Sequence, residues 1–429
     1  MDTRSMRLAI MAAACLSTWS GGAVAQQPAS IGTSSDVASE VASAASISLA
    51  AAIRLALDQP ALRAAAHEAA ASDAMAAQAG KYPNPELGWL REGQQAGTRT
   101  TTLQISQPVE LGGKRQARIA LAQGEAALAH GELAARRRAI RADVIAAYYT
   151  VLVALEQQRL AQALTALARR STEVAARRVA AGKVSPIDET KARLAALDAA
   201  TGLMEAGATL AIARTRLGAL IGKPPQATEA IVPAGEADAL PALPPLAALL
   251  ERSGEAGAIG RARWQLAAQE AQAGVERAAR IPDLTVTLGT QREDQIRHRQ
   301  TVVGISLPLP LFDRNQGRLA AALRRTDKAR DELAAARIDT AAELTVAATR
   351  YATARAEAVR LRDDVIPNAA SAYDLTLRGF EAGKFAFLDV LDAQRTWFQV
   401  QSRHAGALLD AWRAYADIER LAGADQPNE

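Results

Sequence analysis

The sequence predicts a mainly α-helical chain with a small β portion, arranged as two tandem copies of one unit of long helices and a β-hairpin. Three observations predict it. The 429 residues are 49% hydrophobic but only 4% aromatic, and Ala, Leu, Arg, Glu and Gln dominate long stretches, the composition of long helices and coiled coils. Short runs of period-2 alternation break the helical pattern in two places. The chain also matches itself at an offset near 200 residues.

The internal match rests on four anchors. Ile105-Ser106-Gln107-Pro108-Val109-Glu110-Leu111 aligns with Ile305-Ser306-Leu307-Pro308-Leu309-Pro310-Leu311, and Ala181-Gly182-Lys183-Val184-Ser185-Pro186-Ile187-Asp188 with Ala382-Gly383-Lys384-Phe385-Ala386-Phe387-Leu388-Asp389. Pro85-Glu86-Leu87 pairs with Pro282-Asp283-Leu284, and Leu220-Ile221-Gly222 with Leu421-Ala422-Gly423. One unit has been duplicated, with small drifts where hairpin lengths differ.

Residues 1–25 read as an export signal: Arg4 and Arg7 precede an apolar run from Leu8 to Leu16, and Ala23-Val24-Ala25 supplies a small-residue cleavage site. The single cysteine, Cys15, lies inside it, so cleavage leaves a mature chain without thiols. Lipidation at Cys15 is the rival use. Residues 26–48 form a Ser- and Ala-rich leader expected to be flexible. The first unit, 49–222, opens with a helix to about Gly80, then strands at about 85–95 and 100–109, with a polar tip from Gly93 to Arg99. A proline-free helical stretch follows from Lys114 to Ala180, on the order of 100 Å at ~1.5 Å per residue. Within it Leu160, Leu164, Leu167 and Val174 recur at heptad spacing, the seam of a side-by-side helix pair. At Ala181-Gly182-Lys183 the chain turns, and it restarts with Ser185 as N-cap, Pro186 in the first turn and Asp188 completing a capping box.

Residues 223–245, rich in Pro, Ala and Gly, are the linker. The second unit, 246–423, repeats the plan with strands at about 283–292 and 300–309, and residues 424–429 are a tail. Pro367 interrupts its long helix, which predicts a kink or local unwinding.

No segment reaches the ~20 apolar residues a membrane helix needs. The nearest, Val144 to Leu155, is bracketed by Asp143 and Glu156 and reads as a buried helical face. The strand runs, however, approach the ~9 to 11 residues of a tilted membrane strand. Four strands cannot close a barrel, and an open sheet edge is not tolerated in lipid. If these strands enter a membrane, several chains share one barrel and the helices extend it as a tube.

The composition and motifs exclude other classes. The formal net charge of +4 is too close to balance for a nucleic-acid binder, and Arg136-Arg137-Arg138 is a solvated helix face. His67, His130, His298 and His404 are scattered, without metal-ligand or catalytic spacing. No cofactor site, metal site or catalytic residue is expected, so the chain is not read as an enzyme. A periplasmic adaptor would carry one helical hairpin flanked by small β domains, and a coiled-coil scaffold needs no strand hairpins.

The repeated order of helix, hairpin, long helix, glycine turn and returning helix resembles the outer-membrane efflux protein family typified by TolC. Tyr82-Pro83-Asn84-Pro85-Glu86, Gln107-Pro108-Val109-Glu110-Leu111-Gly112-Gly113-Lys114-Arg115 and the paired Ala-Gly-Lys turns resemble its heavy-metal branch, of the cobalt, zinc and cadmium type. The resemblance implies a homotrimer sharing a barrel in outer-membrane lipid, with a periplasmic helical tunnel. It implies docking to a periplasmic adaptor attached to an inner-membrane proton-driven transporter. Export of drugs or, as in type I secretion, of proteins remains open for the same fold. By resemblance Arg178, Gly182, Lys183, Arg378, Gly383 and Lys384 stand at the adaptor-docking tip, where glycine also serves simply to permit the turn. Asp374, Glu381 and Asp389 near the same end are candidates for an acidic constriction of the lumen, against the plainer reading of solvated helix acids. Trp89 is a candidate interfacial anchor or subunit contact, and Trp264, Trp397 and Trp412 read as packing residues.

Overall fold

The computed structural model describes residues 47–93, 95, 98–224, 239–254 and 257–423. The export signal with Cys15, nearly all of the leader, most of the linker and the tail lie outside the described residues. The first copy runs α1 (Leu49–Leu57), α2 (Pro60–Ala79), β1 (Glu86–Glu92), β2 (Thr100–Val109), α3 (Lys114–Ala180) and α4 (Pro186–Ile221). The second runs α5 (Leu246–Ser253), α6 (Gly257–Ala278), β3 (Leu284–Glu293), β4 (His298–Ser306), α7 (Gln316–Arg360), α8 (Ile366–Glu381) and α9 (Phe387–Ala422).

Each lead-in helix is two helices rather than one. Pro60 holds Gln59 in extended backbone at φ −73° and ψ 150°, because a residue before proline is pushed out of the helical region. The Oγ of Ser48 caps α1 by accepting from the backbone N–H of Ala51 at 3.2 Å. β4 ends at Ser306, short of Pro308 and Pro310, two prolines that cannot donate to a strand ladder.

Helix α3 runs 67 residues without a break. Its packing against α4 differs from the expected leucine seam. Leu160 is buried, but Leu164, Leu167 and Val174 are only half-buried. The contact runs instead through Thr165, Ala168, Thr172 and Ala175, with buried Ala192 and Ala199 on the facing helix. Such small side chains bring the backbones close enough that the Thr165 hydroxyl donates to the Ala199 carbonyl at 3.0 Å and the Thr172 hydroxyl to that of Ala192 at 3.1 Å. The second copy is interrupted where proline predicts it. Pro367 lacks an N–H and its ring crowds the carbonyl of Asp363, so Leu361–Val365 open into a single π-helical turn between α7 and α8.

The two copies share one core where α1, α3, α4 and α9 meet. Tyr148, Val144, Ile145, Val151 and Leu217 are fully buried there, and Tyr149 stacks on Trp412 at 3.6 Å between ring centroids. The apolar stretch around Val144 to Leu155 is this buried face. Arg141 donates to Glu419 at 2.9 Å, tying α3 to α9.

Nearer the strands, the Trp264 ring on α6 lies over Gly131 of α3 so closely that a Cβ at 131 would sit 1.8 Å from it. Gly131→Val should therefore lower the thermal midpoint of the purified protein, at ~1 to 3 kcal/mol for overpacking, and Trp264→Leu in the same chain should restore part of the loss.

Candidate channel elements: a two-faced sheet and two helical tips

The four strands form one antiparallel sheet in the order β1-β2-β3-β4. The β2–β3 pairing joins the copies, and β1 and β4 each leave one edge without a partner among the described residues. Because side chains alternate along a strand, register assigns every residue to a face. Leu87, Ile105, Leu288 and Val303 lie in one row across all four strands. Gln107, Val286 and Ile305 form the next row on that face, and Trp89, Leu103, Thr290 and Thr301 the row on its other side.

The opposite face carries Gly88, Gln104, Gly289 and Val302 in one row and Glu86, Ser106, Thr287 and Gly304 in another. Ser106 and Thr287 hydrogen-bond through their hydroxyls at 3.1 Å, and Gln300 donates to Gln291 at 2.9 Å. One face is therefore apolar, yet Leu87, Trp89, Leu288, Val303 and Ile305 are all exposed. The other is mainly polar, Leu90 and Val302 apart, with internal hydrogen bonds. This is the pattern of a sheet between lipid and a water-filled pore.

A charged clasp fixes the strands to the helices. Arg115 donates from Nε to the Gly80 carbonyl at 2.7 Å and stacks over Tyr82 at 4.3 Å. Arg118 pairs with Glu110, which holds the guanidinium pKa above its ordinary value, chiefly through their hydrogen bond. The Lys114 ammonium meets Asp283 at 2.8 Å and so ties the copies together. Gly112 and Gly113 enter α3 at φ of +69° and +74°, and a side chain at 112 would strike Ile281 at 2.7 Å. At the equivalent entry to α7, Asn315 takes the left-handed conformation instead, and its amide donates to the Glu276 carbonyl at 2.8 Å.

At the far end of the helices the two Ala-Gly-Lys turns are built alike. Gly182 N–H donates to the Val179 carbonyl and Lys183 N–H to that of Arg178, both at 2.9 Å; Gly383 and Lys384 donate to Phe380 and Gly379 at 2.9 and 2.8 Å. These are Schellman ends, which need a left-handed residue, and Gly182 and Gly383 supply it at φ of +68° and +75°. The side chains of Lys183 and Lys384 are exposed and without a partner among the described residues. Arg178 is engaged across the copies: its guanidinium lies 4.1 Å from the centre of the Phe380 ring and donates to the Phe380 carbonyl at 3.2 Å. Together with Ala175, Ala192 and Val390, Phe380 forms a small core that joins the two tips.

The candidate acids have local partners. Asp374 pairs with Arg378 one turn on at 2.6 Å, so two residues assigned to different roles bind each other. Asp389 accepts from the Ala386 N–H at 2.9 Å as the cap of α9. In the first copy the Ser185 hydroxyl accepts from Ile187 N–H at 3.4 Å. Glu381 closes α8, and its side chain lies outside the described set. Among the described residues no group of His, Cys, Asp and Glu has the arrangement of a metal site, and no helix is long and apolar enough to cross a membrane.

The family model described as outer membrane efflux protein matches residues 52–223 and again 254–424. The chain belongs to that family. It is 44% identical over 363 residues to the cobalt-zinc-cadmium resistance protein CzcC of Cupriavidus metallidurans, covering 84% of this chain and 86% of the relative. It is 33% identical over 283 residues to the nickel-cobalt-cadmium resistance protein NccC of Alcaligenes xylosoxydans xylosoxydans, covering 63% and 62%. The fold is that of the outer membrane protein VceC from Vibrio cholerae, with a TM-score of 0.73 at 21% identity over 88% of this chain and 96% of that one.

As an outer membrane efflux protein the chain sits in the outer membrane and reaches into the periplasm, so the two-faced sheet is its membrane part and the helices its periplasmic part. Three features escaped sequence reasoning: the Arg178–Phe380 contact, the ring of Phe385 lying 2.1 Å from where a Cβ on Gly379 would stand, and the clasp onto the Gly80 carbonyl. Only the i, i+4 spacing of Asp374 and Arg378 offered a sequence signal for their pairing.

Proposed function

We propose that this outer membrane efflux protein is the exit duct of a tripartite pump and acts as a homotrimer that exports divalent heavy-metal cations and performs no chemistry on them. The observation that carries the duct is the open four-stranded sheet with one lipid-type and one pore-type face. Two free edges in lipid leave backbone groups unsatisfied at several kcal/mol each, and pairing β1 of one chain with β4 of the next removes both. Three copies of four strands give a barrel of twelve, a size within the range of outer-membrane barrels.

The helices support the same assembly. Ile187, Leu194, Leu197 and Met204 form an exposed apolar stripe on α4, and Ile338 and Val346 another on α7, as expected for faces covered by neighbouring chains. The adaptor, itself held by a proton-driven inner-membrane transporter, docks at the tips around Gly182, Lys183, Gly383 and Lys384. Arg178 and Arg378 act there by shaping the turn. A metal cargo is supported by the likeness to CzcC and NccC, both metal resistance proteins. The described residues hold no metal-ligand cluster, which suits a path that ions must leave, and selection then rests with the transporter. Deleting the gene should sensitise cells to zinc, cobalt or cadmium and leave drug tolerance unchanged. Sensitivity to drugs alone would reassign the cargo, and unchanged tolerance to every metal would remove the metal reading.

A further inference from the structure

The two faces of the sheet also differ in charge at the hairpin end. Arg91, Thr101, Arg292 and Arg299 form one row across the strands, on the same face as Leu87, Ile105, Leu288 and Val303. On the pore-type face the neighbouring row is Glu92, Thr100, Glu293 and His298. Guanidinium groups thus stand outside the barrel wall where carboxylates stand inside.

Two further observations point to an anion outside. Arg292 and Arg299 are directly opposite on β3 and β4, a placement that brings Cβ atoms to within ~4.5 to 5.5 Å and destabilises like charges. Arg292 is partly offset by Asp294 at 3.3 Å, whereas Arg299 and Arg91 are exposed and have no partner among the described residues. The row also lies at a particular depth. It is eight residues beyond Leu284 along β3, about 26 Å of strand at ~3.3 Å per residue, which a ~40° tilt turns into roughly 20 Å of depth, towards the outer side of an outer-membrane apolar band of ~25 Å. Trp89 sits in the row just below, where interfacial aromatic residues gather.

We propose that Arg91, Arg292 and Arg299 form an outward-facing girdle that binds the phosphate groups of phosphorylated lipids in the outer leaflet. The proposal rests on the membrane reading of the sheet. Guanidinium groups bind phosphate oxygens bidentately, and one phosphate between Arg292 and Arg299 relieves their repulsion. Arg91 lies on the edge strand β1 and Arg299 on the edge strand β4, so closing the barrel brings one chain's Arg91 towards its neighbour's arginine pair. Lipid phosphate then sits at the subunit seam.

The test is native mass spectrometry of the detergent-solubilised protein, titrated with lipid A or with lipid A stripped of its phosphates. The wild type should retain lipid A in preference to the dephosphorylated form. Each arginine changed to glutamine, in R91Q, R292Q and R299Q, should weaken retention about fivefold, the effect of one basic residue at an anionic surface. The triple lysine variant should keep most of the preference, and Glu92→Gln should leave it unchanged. Equal retention of both lipids by the wild type, full retention by the triple glutamine variant, or displacement of lipid A by inorganic phosphate at matched concentration would each overturn the proposal. Failure of the membrane reading looks different, because the wild type would then not be extracted from the outer membrane at all.

Discussion

Leu288→Arg is expected to keep the chain from accumulating in the outer membrane, whereas Thr287→Arg, one residue away, leaves it there. Leu288 lies in the middle of the apolar row with Leu87, Ile105 and Val303 and is 55% exposed in the single chain, so its neighbours in the assembly are lipid tails. An arginine at the midplane of a barrel's lipid face costs about 2 to 4 kcal/mol, and a shared barrel repeats that cost in every subunit. Thr287 faces the pore, where a cation remains hydrated. Its replacement loses only the hydrogen bond to Ser106, about 1 kcal/mol. Density-gradient separation of membranes with immunodetection reads both variants. Equal loss, or equal retention, would contradict the assignment of the two faces.

The second large effect belongs to the tips. Gly182→Pro combined with Gly383→Pro should abolish metal tolerance while the protein still reaches the outer membrane as a stable oligomer. Both glycines hold φ near +70°, and a proline ring fixes φ near −65° and removes the N–H. Here those N–H groups donate to the carbonyls of Val179 and Phe380, so both Schellman ends are lost. Nothing lies within 4 Å of a side chain built at either glycine, so the damage stays at the turns, far from the strands. Alanine there should be milder, at ~1 to 2 kcal/mol for a left-handed residue. Growth on graded zinc, cobalt and cadmium, with native gels of the extracted protein, separates the outcomes. Loss of the oligomer would assign these glycines to folding and not to docking.

What the chain itself made legible follows from the range over which each signal acts. Period-2 alternation at Leu87, Trp89, Leu103, Ile105, Leu288 and Val303 marks strands locally, and duplication of the anchors is visible by inspection. Pro367 announces the π-helical turn because proline acts on the turn before it. Leucine spacing does not mark the α3–α4 seam, where Leu164 and Leu167 are only half-buried. The close approach is made by Thr165, Ala168, Thr172 and Ala175, which look like filler in an alanine-rich sequence. Gly131 against Trp264, and Arg178 against Phe380, are contacts between the two copies, and no local pattern reports which helix comes to lie across another. The β2–β3 register is of the same kind, yet it is what aligns the apolar residues of four strands into one face.

One chain, with four strands and two open edges among the described residues, supplies only part of a channel wall. The most direct measurement is the mass of the particle extracted by detergent from the outer membrane. Three chain masses are expected, with dissociation when a proline in β1 or β4 blocks pairing at the free edges. A monomer recovered without detergent from the periplasmic fraction would contradict the account.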